Sequence, residues 1–125
     1  SGLLYRTQSP TENLDFPAVD GGIATRLPVI TIVNESSASA AEILAAVLKE
    51  RGRSVIVGTP TYGKHLVQVP FDLHNGGMLR VSISRWVTPD GASVEGIGVT
   101  PNITLDLAPD LAVPELVEAV VAAAG

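Results

Sequence analysis

No cysteine occurs in the 125 residues, which excludes disulfides, thiolate metal sites and a cysteine nucleophile. Basic residues are also few. Eight lysines and arginines against thirteen acidic residues leave a formal charge of −5, and the longest basic cluster is Arg51-Gly52-Arg53, which is not the footprint of a nucleic-acid binder. No apolar run reaches the length of a membrane-spanning helix, and no basic segment precedes an apolar one as in a signal peptide. Aromatics make up only 4% of the residues, so a core has to be assembled from Val, Ile, Leu and Ala. With 46% apolar and 17% charged residues, the composition is globular and not that of a disordered chain. A chain of this length buries about two-thirds of the surface its unfolded form exposes, as expected of a single domain over 1–125. The chain begins Ser1-Gly2, without Met, and the expectation is an excised piece of something longer.

What is present is organised around Asn34-Glu35-Ser36-Ser37-Ala38-Ser39-Ala40-Ala41-Glu42. Before it, Pro28 to Val33 is a β-branched run that reads as a buried strand. After it, Ile43, Leu44, Val47 and Leu48 recur at helical spacing, and Gly52 follows as a stop. Such a strand-to-helix turn of small residues presents free backbone N–H groups. Arg53 to Gly58 reads as the next strand, giving a βαβ unit with a right-handed crossover and a sheet that is parallel at its centre. Leu3–Thr7 and Leu14–Phe16 read as an entry hairpin. Leu66–Phe71 and Met78–Val87 read as strands joined by the turn His74-Asn75-Gly76-Gly77. Thr88-Pro89-Asp90-Gly91 is a turn, a short strand follows Asn102, and Pro114 opens a final helix.

Two readings compete for the loop at 58–65. Gly58, Gly63 and Lys64 have the spacing of a phosphate-binding loop, but His65 stands where a hydroxyl should hold Mg²⁺, and a strand follows where a helix is needed. The other reading joins this loop to the serines. A serine hydroxyl is a poor nucleophile until a base takes its proton, and a lysine can serve when a tightly framed, apolar site favours its neutral amine. With no cysteine, no Ser-x-x-Lys and no Gly-x-Ser-x-Gly, a Ser/Lys pairing is the main nucleophilic option. Ser36 and Ser37 suit turn or cap positions, and Glu42 suits the first turn and dipole of the helix. His65 and His74 lack metal-ligand spacing, so neither metal nor cofactor is expected. Trp86 reads as core or groove wall.

The segments 34–42, 57–64 with Val67-Gln68, 88–91 and 96–102 resemble, in order and interval, the motifs of the carboxyl-terminal processing proteases. The resemblance covers about residues 28 to 105. It implies an α/β core of the ClpP/crotonase type, with a parallel-centred sheet and flanking helices and hairpins. It also implies that Ser39 is the nucleophile, Lys64 the base 25 positions on, and Gln68 the residue that orients the lysine amine, with Ala40 N–H donating to the oxyanion. Substrates are then protein or peptide C-termini, cut as apolar tails in a periplasmic or other extracytoplasmic setting, without nucleic acid. Two departures are His65, where the family usually has glycine, and Asn102, where aspartate is common. Family members also carry an upstream Asp-Leu-Arg-x-Asn-x-Gly-Gly segment, whose glycine amide completes the oxyanion hole, and a PDZ domain; neither lies in these residues. The expectation is a catalytic-core fragment, weakly active or inactive alone, with an exposed sheet edge through which it self-associates. The alternative is a non-catalytic module that binds peptide tails at that edge.

Overall fold

The computed structural model describes residues 2–108 and 111–124. In chain order the elements are β1 (Leu3–Gln8), β2 (Asn13–Pro17), β3 (Ile30–Val33), α1 (Ala40–Glu50), β4 (Val55–Gly58), β5 (Leu66–Asp72), β6 (Met78–Val87), β7 (Ile103–Thr104) and α2 (Val113–Ala124). They form an α/β fold around two sheets. One is parallel, ordered β3-β4-β7, and the other is antiparallel, ordered β2-β1-β6-β5. The parallel centre matches the βαβ reading, while the hairpins gather into a sheet of their own.

The parallel sheet is short because its β-branched runs are cut off by glycine and asparagine; β3, expected to be a buried strand, lies at the sheet edge and leaves Ile30 and Ile32 exposed. Ile56 and Val57 of β4 are fully buried, each contributing about 1.5–3 kcal/mol. Gly58 closes β4 at φ 132°, and a Cβ there would stand 1.8 Å from the Val33 carbonyl oxygen, so only glycine lets β3 and β4 end side by side. Asn102 ties β7 to this sheet, since Ile56 N–H donates to its Oδ1 at 2.9 Å and its own N–H donates to Ile56 O at 2.8 Å. An asparagine suffices here because the side chain serves as an acceptor.

Helix α1 buries Ala45, Ala46 and Val47 and exposes Leu44. Its small buried residues join Val33, Ile56, Val94 and Val99 around Trp86. Trp86 belongs to β6, so the largest core side chain, 1% exposed, reaches from the antiparallel sheet into the core of the parallel one. The seam between the sheets therefore runs against α1.

Candidate active site

The turn that carries Ser39 is built by its own polar side chains. Asn34 Oδ1 accepts from Ser36 N–H at 3.0 Å, Ser37 Oγ accepts from Asn34 N–H at 3.2 Å, and Ser37 N–H donates to Asn34 O at 2.9 Å. Ser36 and Ser37 are therefore turn formers, as their sequence positions suggest. The chain then enters α1 through Ser39 at φ 57°, ψ −115°. Among the described residues it is the one non-glycine with positive φ, a conformation that costs about 1–3 kcal/mol. A strained strand-to-helix turn of this kind lifts a side-chain hydroxyl clear of the helix.

Glu42 holds that turn and does more. It is fully buried, and its carboxylate accepts four hydrogen bonds. Thr61 Oγ1 and Gly63 N–H donate to Oε1, each at 2.6 Å, and Ser39 N–H and Lys64 N–H donate to Oε2, each at 2.8 Å. Burial alone pushes this carboxyl's pKa up, but the four donors, led by Thr61, outweigh it and hold the pKa below the ordinary glutamate value. Part of its role is the helix-terminal one expected from sequence. The larger part, fastening the backbone of Ser39 to that of Lys64 from 22 positions away, is not expressed by any local spacing.

The loop before β5 is fixed from its other side as well. Thr61 Oγ1 accepts from Val99 N–H at 2.7 Å, and Gly96 N–H donates to Gly63 O at 3.2 Å. A Cβ on Gly98 would meet Thr61 O at 2.1 Å, so the segment 96–99 packs backbone against backbone on the lysine loop. Trp86 clamps the next two residues: its indole Nε1–H donates to Lys64 O at 3.1 Å and its backbone N–H to His65 O at 2.9 Å. His65 does not crowd the loop. Its Nε2 lies 3.5 Å from Glu95 Oε2. Gly63 and Lys64 lead into strand β5 rather than a helix, so the geometry of a phosphate-binding loop is not formed.

Ser39, Ala40, Lys64 and Gln68 all line one cavity of about 370 Å³, whose remaining wall includes Tyr5, Phe16, Ile43, Arg80 and Trp86. Tyr5 and Phe16 stack with ring centroids 4.4 Å apart. Neither the Lys64 amine nor the Ala40 N–H, at the first helical position, has a partner among the described residues. Gln68 is placed differently from expectation. Its Nε2 donates to Ser82 Oγ at 3.3 Å, so it lines the cavity with Lys64 without a hydrogen bond to the lysine amine. The site thus holds a hydroxyl on a raised turn, a free amine and a free backbone donor, which is an arrangement for acyl transfer.

Residues 4–105 match the family described as Peptidase family S41. The chain belongs to peptidase family S41. This S41 chain is 37% identical over 107 residues to a carboxy-terminal-processing protease of Bartonella bacilliformis, covering 84% of this chain and 25% of the relative. It is 44% identical over 90 residues to carboxyl-terminal-processing peptidase 2, chloroplastic, of Arabidopsis thaliana, covering 70% of this chain and 18% of the relative. The solved photosystem II D1 C-terminal processing protease superposes with a TM-score of 0.76 at 34% identity, over 95% of this chain and 30% of that one. The tricorn protease shares the fold, with a TM-score of 0.54 at 23% identity. The S41 chain therefore spans about a fifth to a quarter of the length of these curated relatives. Its fold is the α/β protease core that the motifs imply.

Proposed function

We propose that this chain supplies the nucleophile and base of a serine endopeptidase that trims protein C-termini. Ser39 Oγ attacks the scissile carbonyl while the neutral Lys64 amine takes its proton. Ala40 N–H donates to the oxyanion that forms. Collapse of the tetrahedral intermediate expels the amine product, which recovers the proton from the Lys64 ammonium, and leaves an acyl-serine. Water, deprotonated by Lys64, then releases the acid product and restores the hydroxyl. Gln68 acts as a positioning residue that tightens on Lys64 once substrate fills the cavity.

The observation that carries this reading is that one buried carboxylate binds the backbones of Ser39 and Lys64 together, with both side chains on the wall of the same cavity. A second oxyanion donor belongs, on the family resemblance, to the segment Asp-Leu-Arg-x-Asn-x-Gly-Gly, so these residues alone turn over about 10²–10³ more slowly than with it. The setting we infer is extracytoplasmic. The test is mass spectrometry of an unstructured peptide with an apolar C-terminus, incubated with the parent chain, Ser39→Ala and Lys64→Met. Cleavage by the parent that is lost in both variants supports the dyad, and cleavage surviving Lys64→Met refutes it.

A further inference from the structure

The cavity that holds Ser39 and Lys64 is also lined by a guanidinium, that of Arg80 of β6. The ladder puts it there. Gln68 lies opposite Ser82 and Pro70 opposite Arg80, so Gln68, Ser82 and Arg80 share one face of the β5–β6 ribbon and run on from the lysine. Among the described residues no aspartate or glutamate lines this cavity, although acidic residues outnumber basic ones thirteen to eight. Four of the eight basic side chains are engaged, Arg6 with Asp15, Arg51 with Leu3 O, Arg53 with Leu27 O, and Lys49 with Thr100 O; Arg26 and Arg85 are unpaired among the described residues as well but do not line this cavity. Arg80 has no hydrogen-bond or ion-pair partner among the described residues.

We propose that Arg80 binds a carboxylate of the peptide substrate, either its C-terminal α-carboxylate or an acidic side chain beside the cut. The inference rests on the proposed peptidase reading. A lysine acting as base must be neutral when substrate arrives and cannot serve as the countercharge. A guanidinium is always protonated, and its planar fork meets both oxygens of a carboxylate. Arg80 thereby separates the two tasks, anchoring charge while Lys64 moves a proton, and the stacked Tyr5 and Phe16 give the adjoining apolar groups of the peptide a surface.

The test measures binding of fluorescent peptides in the Ser39→Ala background, so that it does not depend on turnover. The peptide is made as free acid and as C-terminal amide, each with an internal Glu or Gln near the cut. Arg80→Gln is expected to weaken binding about tenfold for peptides bearing the recognised carboxylate. Removing that carboxylate should cost the parent the same factor, and combining both changes should add nothing. Arg80→Lys should recover part of the loss. Dependence on the C-terminal acid identifies the α-carboxylate, and dependence on Glu identifies an acidic side chain. Equal weakening of all four peptides, no weakening, or no binding of any peptide overturns the proposal. Arg80 is exposed, and an unchanged melting temperature shows that the variants fold. Carboxylate-selective binding together with cleavage that survives Lys64→Met keeps Arg80's role and removes the dyad; cleavage lost in both Ser39→Ala and Lys64→Met, without that selectivity, does the reverse.

Discussion

Replacing Glu42 with glutamine tests the geometry most directly, because the change keeps the shape and alters only what the carboxylate accepts. Its two oxygens take two hydrogen bonds each: Thr61 and Gly63 on Oε1, Ser39 and Lys64 on Oε2. In the best arrangement the amide nitrogen faces Thr61, whose hydroxyl can turn to accept, and the Gly63 N–H is left buried without an acceptor. One charge-assisted bond is lost, one buried donor is unsatisfied, and the remaining bonds weaken, for a cost of about 3 kcal/mol. For a domain of this size that lowers the melting temperature by about 10–15 °C. The pH dependence sharpens the test. The folded-state pKa of Glu42 lies below its ordinary value, so its stabilisation is fully present above the unfolded-state pKa and is lost as pH falls through the folded one. Thermal melts of the parent from pH 7 to pH 3 should fall more steeply than those of Glu42→Gln, and the two curves should converge in acid. A glutamine variant that melts within about 2 °C of the parent, with the same acid slope, would refute the four-bond account. Peptide cleavage should fall as well, since the loops of the proposed nucleophile and base lose their common anchor.

Ser39→Gly removes the proposed nucleophile but also relieves its positive φ, so cleavage should vanish while stability by denaturant titration rises by about 1 kcal/mol; a destabilised glycine variant would contradict the strain. Gly58→Ala drives a Cβ into Val33 O and should cost about 3 kcal/mol or more, seen as a fall in the denaturation midpoint. Strand β3 has β4 as its neighbour on one side alone among the described residues, and its Ile30 and Ile32 are 39% and 41% exposed. Sedimentation should therefore show concentration-dependent association that Ile32→Lys suppresses, and a parent that stays monomeric at high concentration would count against an adhesive edge.

Strands and helices were legible where side-chain periodicity and turn residues agreed. Met78–Val87 alternates for several steps, from Leu79 to Ser84, Asn75-Gly76-Gly77 forces the reversal before it, and Gly52 ends α1 where the apolar spacing stops. The separation into two sheets was not legible, because strand patterns record which face is apolar and not which strand lies beside it. Trp86 shows this well. Its size marked it as core or wall, yet its indole bond to Lys64 O depends on a contact between residues 22 positions apart. Glu42 was readable as a helix-start residue because that role is local; its bonds to Thr61, Gly63 and Lys64 arise only once β4 and the loop after it return to α1. Gln68 was assigned to the lysine through resemblance, and in the structure its amide is occupied by Ser82. Arg80 carried no sequence signal, since a polar residue in an alternating strand is the ordinary solvated case.

The seam between the sheets divides the inheritance of the site. The raised serine and its free amide belong to the turn that joins the parallel sheet to α1, whereas Phe16, Gln68 and Arg80 stand on the antiparallel sheet. Strands of the antiparallel sheet can change the residues that line the cavity without disturbing the backbone bonds that shape the proposed nucleophile. Such a fold lets taste drift while the cutting edge stays fixed, and libraries randomised at Phe16 and Arg80 should yield altered preferences far more often than dead protein.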